Sequence, residues 1–221
     1  MSGKTTNLKA LHELTRQDSR GRLMTLETKD DRTLFFDMLP LVFKADSKDG
    51  AMNLRVKVFT VPGQVVHAST RKLVLQGADA VAFIADSQIS ETENNAASFL
   101  DLRENLKALG RSMRDVPCII QFNKRDLTGV RTDLEIDDLA LRGKEPVYKA
   151  SAVHGRGVIE SFFGLLEGAW RKLDTVHDLT EKLHIEPDAF LAKAAESLGY
   201  PGRWRELSDA HVGGQLKAGR R

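Results

Sequence analysis

The chain has 221 residues, which suits one domain with an appendage or two very small domains, and is long enough to bury a core without staples. It is 41% hydrophobic and 29% charged, with 33 Lys+Arg against 31 Asp+Glu and one cysteine, Cys118; this excludes disulfide-rich secreted mini-proteins, global disorder and a surface built wholly for nucleic acid. No apolar run is long enough to span a bilayer and the opening MSGKTTNLKALHEL holds no apolar signal core, so the expectation is a cytoplasmic protein without a transmembrane segment.

Leu8, Leu11 and Leu14 recur at helical spacing and predict a helix over 7–16. Residues 33–43, TLFFDMLPLVF, read as a strand that Pro40 breaks or confines to an edge. Residues 54–60, LRVKVFT, alternate as a half-buried strand does, and 44–53 read as the hairpin loop between the two. Residues 80–85, AVAFIA, and 116–122, VPCIIQF, are continuous apolar runs of the kind found in parallel strands covered on both faces. Between them Phe99, Leu102, Leu106 and Leu109 predict a helix over 94–109. A short strand over 146–150 and a helix over 158–173, with Ile159, Phe162, Phe163, Leu166 and Trp170 inward, follow. Strand–helix–strand order of this kind predicts an α/β fold with a mostly parallel sheet. The composition shifts near Asp174. Beyond it Pro187 opens a helix bearing Phe190, Leu191, Ala194, Ala195 and Leu198, a GYPG turn ends it, and 212–221 is glycine-rich and basic.

Four segments carry possible chemistry. Gly3-Lys4-Thr5-Thr6 matches the second half of a phosphate-binding loop, in which backbone N–H groups and a helix N-terminus wrap phosphates, the lysine reaches the outer ones and the first hydroxyl binds Mg²⁺. Alone it reads equally well as a frayed start with a threonine N-cap. Asn123-Lys124-Arg125-Asp126 leaves an apolar strand at the edge where α/β sheets bind ligands. An aspartate there accepts from guanine N1–H and N2–H₂, donors that adenine lacks in that pattern. An N-K-x-D match arises by chance in roughly 3 of 100 chains of this length, and the ordinary alternative is a polar turn. Thr60-Val61-Pro62-Gly63-Gln64 ends a strand; its glycine admits a γ-phosphate and its glutamine can orient a water, or the segment is a plain Pro-Gly turn. Ala150-Ser151-Ala152 follows the last strand and can lie against a base, or simply end the strand.

In this chain order the pieces resemble Ras-like small GTPases, and within them the bacterial gliding-motility (MglA-like) branch. The resemblance rests on GKTTNL at 3–8, DRTLFFDMLPL at 31–41, TVPGQ at 60–64, RKLVLQGADAVAFIADSQ at 71–88 and QFNKRDL at 121–127, and it covers about residues 3–173. It implies a three-layer P-loop fold with a mostly parallel sheet in a GTPase domain of residues 1–174; the helical extension with a basic tail expected over 175–221 lies outside the resemblance. It implies that Gly3, Lys4, Thr5 and Thr6 hold phosphate and that Thr5 and Thr33 hold Mg²⁺. Thr33 would sense the γ-phosphate with Gly63, Arg32 would be an arginine finger in the same chain, and Gln64 would position the water. Asn123, Lys124 and Asp126 would read guanine, helped by Ser151 and Ala152. The implied activity is a GTP/GDP switch in cell polarity or motility, acting on downstream effectors under a Roadblock-type activator. Arg32 in Asp30-Asp31-Arg32 also fits an ordinary surface ion pair.

Two departures stand out. Thr60 occupies the place where most Ras-like proteins carry a Mg²⁺-linked aspartate, a threonine shared by the MglA-like branch. The first loop glycine and the central strand before it would fall ahead of Met1, which predicts a domain lacking its first central strand, with Met1 an internal methionine of a longer loop. A degenerate, nucleotide-poor scaffold is the alternative function. Nucleic-acid binding through Lys217, Arg220 and Arg221 would rest on three charges at a solvated end and is not expected. The helix from Pro187 is expected to pack on the domain, yet deletion of 187–221 is expected to leave nucleotide binding intact.

Overall fold

The computed structural model describes residues 1–26, 36–47, 50–61 and 68–212. Helix α1 (Lys4–Leu14) buries Leu8 and Leu11, one turn apart on the same face, and starts three residues earlier than its apolar spacing predicts because Gly3, in the left-handed region at φ 90°, opens it directly. Strands β1 (Met24–Leu26), β2 (Phe36–Ser47) and β3 (Gly50–Phe59) form an antiparallel sheet in that order. Residues 44–53 are therefore mostly strand rather than loop: Lys44 pairs with Asn53 and Ser47 with Gly50. A turn this short permits only antiparallel pairing, so the fold is not mostly parallel throughout. Pro40 does not break β2. It pairs with Lys57 on one side, and on the other its carbonyl accepts the Gly21 N–H at 2.8 Å, three residues before β1 begins.

The second sheet is parallel. It comprises β4 (Val81–Asp86), β5 (Cys118–Asn123) and β6 (Val147–Lys149), in that order, with α2 (Ala68–Gln76) before it and α3 (Thr92–Ala108) and α4 (Asp133–Arg142) as crossovers. Helix α5 (Val158–His177) follows, then α6 (Leu179–Leu183), α7 (Pro187–Ser197) and α8 (Trp204–Ser208). Sequence periodicity foresaw α1, α3, α5 and α7; the short β1 and helices α2, α4, α6 and α8 are additions. β5 shows the layering. Ile120 and Phe122 pack with Ile136 of α4, while Gln121 Nε2 donates to Ser161 Oγ of α5 at 3.0 Å on the other face. β4 is less covered than a continuous apolar run predicts, its first four residues being only half-buried. Among the described residues it pairs with β5 alone, and β3 with β2 alone, so each keeps one edge without a strand partner.

The main core joins α1, β2, α5 and α7. Leu39, Leu41 and Phe43 alternate along β2 onto one face and meet Leu8, Leu11, Phe163 and Leu191. Phe190 of α7 stacks on Trp170 of α5 with ring centroids 4.2 Å apart. A smaller core under α2 and α3 holds Leu75, Leu102, Leu106 and Val116.

Gly157 fixes how α5 leaves β6. It stands at φ 74°, and a Cβ there would lie 2.2 Å from the Lys149 carbonyl oxygen and 2.9 Å from Ala150 Cα. Both contacts are backbone and cannot swing away. Gly157→Ala is expected to cost about 2–5 kcal/mol, from the left-handed conformation and the overlap together, read as a lower urea unfolding midpoint.

Candidate functional site

The parallel register sets Asp86 beside Asn123, and Phe122 beside Lys149. The segments after β4, β5 and β6 therefore leave the sheet at one carboxyl-terminal edge, where α/β folds present ligand-binding groups.

Asn123 ends β5 with its side chain buried and committed at both ends. Its Oδ1 accepts the Ala152 N–H at 2.9 Å, and its Nδ2 donates to the Ser2 carbonyl at 2.9 Å. One amide thus ties the start of α1 to the loop after β6. Gly3 is required at this join: a Cβ on it would sit 2.5 Å from Asn123 Nδ2. Helix α1 has no acidic residue in its first turn and no side-chain cap on its leading N–H groups.

Lys4 lies in that first turn. Burial, and behind it the Arg71 guanidinium, push its ammonium below the ordinary lysine value. Among the described residues no ion pair joins Lys4 to a carboxylate, whereas Arg71 is paired with Asp101 at 3.5 Å. Thr5 and Thr6 are exposed on the same turn. Thr5 Oγ1 donates to Asp37 Oδ2 at 2.8 Å.

The other end of the site is built by the residues after Asn123. Lys124 adopts φ 67°, and its Nζ pairs with Asp86 Oδ2 at 2.5 Å. Asp86 is itself held by Asn95, whose side chain accepts the Asp86 N–H at 3.0 Å and donates to the Asp86 carbonyl at 2.8 Å. The Arg125 N–H donates to the Ala150 carbonyl at 3.0 Å, joining this loop to the one after β6. Asp126 is exposed. The Ser151 hydroxyl donates to its Oδ1 and holds its carboxyl below the usual carboxylate range. Ser151 and Ala152 are buried at the start of a 3-10 turn over Ala152–His154.

Of the residues expected from sequence, the structure brings Gly3, Lys4 and Thr5 to one end, Asp126 and Ser151 to the other, and Asn123 and Ala152 to the join. Arg32, Thr33, Gly63 and Gln64 lie outside the described residues. Asp37, Arg71 and Asp86 were missed as site residues. Asp86 carried a visible signal, an acid closing the apolar run AVAFIA; Asp37 meets α1 only through the tertiary fold. One end now offers cations, helix N–H groups and hard oxygen donors, a set that suits phosphate and a small dication. The other offers an ionised acceptor above a small, flat loop, which suits a heterocycle with N–H donors.

No protein-family model matches the chain. Over 161 residues, 73% of the chain, the sequence is 41% identical to the mutual gliding-motility protein MglA of Myxococcus xanthus (strain DK1622), and the match spans 81% of that protein's length.

Proposed function

The chain belongs to the MglA-like small GTPases, and on that footing we propose that it is a Mg²⁺-dependent GTP/GDP switch that hydrolyses GTP. The observation that carries this reading is the Asn123 amide, which bonds both the residue ahead of α1 and the loop after β6, where phosphate and base would lie. Lys4 would neutralise the outer phosphates, which relieves its repulsion with Arg71. Asp126 would accept from the guanine edge while Ser151 and Ala152 line the base. A divalent ion fits the oxygen donors present: the Thr5 hydroxyl would hold it together with Thr33, and when bound it supplies charge neutralisation on the phosphates. Arg32 would stabilise charge from within the chain and Gln64 would orient the attacking water.

In this reading the nucleotide unit is residues 1–174. The cellular role, by likeness to the gliding-motility relative, is control of polarity or motility in the cytoplasm through a Roadblock-type activator and effectors. No helix among the described residues is long and apolar enough to cross a membrane.

Titration of the full chain with a fluorescent GDP analogue tests the reading. Saturable binding displaced by GDP and not by ADP is expected. Lys4→Ala is expected to weaken it by on the order of 10²-fold or more, the loss of a charge-assisted contact in a desolvated site. A folded chain that retains no guanine nucleotide would instead be the scaffold alternative.

A further inference from the structure

A cavity of about 570 Å³ opens between the end of β6, the first turn of α5 and the chain around α8. That volume falls in the range of small-molecule sites. None of its lining residues is among those that hold phosphate or base in the reading above. One wall comes from beyond residue 174, outside the stretch that resembles small GTPases. The floor is apolar: Tyr148, Leu207 and Val212 line it, and all three are buried.

The rim carries both signs of charge, but only one sign is left to bind with. Lys149 Nζ lies 2.6 Å from Asp137 and 3.4 Å from Asp133. Arg203 Nε donates to Glu206 at 2.8 Å. Arg205 pairs with Asp188 at 3.5 Å and lies 4.6 Å over the Trp204 ring. Each cation is thus already matched by a carboxylate of the protein. Glu160 and Asp209 also line the cavity, and among the described residues no hydrogen bond or ion pair engages either carboxylate. Burial, and behind it the Glu160 charge, push the Tyr200 phenol above its ordinary value, so Tyr200, on the same lining, stays neutral. An anion would have to displace protein carboxylates from Lys149, Arg203 and Arg205. A cation meets two uncommitted acids and the aromatic rings of Tyr148 and Tyr200.

We propose that this cavity binds an aliphatic diamine or polyamine. Glu160 stands on α5 and Asp209 just past α8, so the two acids come from different elements packed around the cavity. Each takes one ammonium group, and the methylene stem lies on Tyr148, Leu207 and Val212. Two charges joined by hydrocarbon match two acids with an apolar floor. A hydrated Mg²⁺ does not, because it keeps its waters and leaves that floor uncovered. A monoamine satisfies one acid and leaves the other. The site goes beyond the nucleotide reading and does not depend on it.

The test is calorimetric titration of the full chain with spermidine, without nucleotide, in about 0.15 M salt so that exposed charges are screened. Saturable one-to-one binding is expected, weaker for n-butylamine and absent for pyrophosphate. Glu160→Gln and Asp209→Asn are each expected to weaken spermidine by about 5-fold, and together by about 25-fold, as partly exposed ion pairs at separate positions do. Neither carboxylate is bonded within the protein, so the urea midpoint of the double variant should stay at the wild-type value. Ala210→Leu narrows the cavity without touching a charge and is expected to abolish binding. A folded wild type that shows no saturation at millimolar spermidine overturns the proposal. So does spermidine binding that the folded double variant retains in full, or that Mg²⁺ of equal total charge displaces completely. Pyrophosphate bound in place of spermidine would show that the cations, not the acids, are the open groups, and overturns it as well.

Discussion

Replacing Asp126 by asparagine is expected to invert the base preference of the proposed site, moving the ratio of GDP to XDP affinity by on the order of 10⁴, as in sites built to hydrogen-bond one edge. The carboxylate presents only acceptors, matching guanine N1–H and N2–H₂. Asparagine keeps one acceptor and gains an NH₂. Ser151 decides which way that amide turns: its hydroxyl already donates to Asp126 Oδ1, so an asparagine would keep its oxygen towards Ser151 and direct its NH₂ at the base. Two donors then face each other over guanine, whereas the 2-oxo group of xanthine accepts. Each buried mismatch leaves a polar group unpaired at about 1–3 kcal/mol, and the gain on xanthine adds to it. Displacement of the fluorescent GDP analogue by GDP and by XDP reads the inversion. An unaltered order of the two in a folded variant would remove Asp126 from the base site.

What the sequence made legible follows from how local each signal is. β5 and the Asn-Lys-x-Asp run are contiguous: an apolar strand, then polar residues at its carboxyl end. Their placement could be read without knowing any partner. The arms of β2 and β3 were misread as a loop because Lys44, Asp46 and Asn53 look like turn residues. They belong to a ribbon whose backbone pairs while Lys44 and Asn53 are exposed, and hydropathy does not separate that from a loop. The start of α4 carried a readable mark that went unused, Thr132 and Glu135 in a reciprocal capping box. Asp37 and Asp86 were invisible for another reason. Their partners Thr5 and Lys124 stand 32 and 38 residues away, and only the folded chain brings them within hydrogen-bond reach. The same holds for the bonds of Asn123 to Ser2 and Ala152, which tie the start of α1 to the loop after β6.

Deleting 187–221 is expected to unfold the chain, contrary to what the shift in composition near Asp174 implies. That shift marks a change in surface, whereas the segment beyond it is built into the main core. Phe190, Leu191, Ala194 and Ala195 have no exposed surface, and Leu198, Leu207 and Val212 are nearly as covered. α7 lies across β2, so its removal would bare the face of Leu39, Leu41 and Phe43 and one side of the Trp170 ring. Withdrawing Phe190, Leu191, Leu198, Leu207 and Val212, at about 1.5–3 kcal/mol each, costs on the order of 10 kcal/mol, which is comparable to the whole stability of a typical domain. β2 also carries Asp37 and adjoins α1, so the proposed phosphate site would be lost with the core rather than surviving it. The truncated chain should show no cooperative urea transition and should bind a dye for exposed apolar surface. A sharp transition at the full-length midpoint, with nucleotide still bound, would instead make α7 and α8 an appendage resting on a domain complete without them.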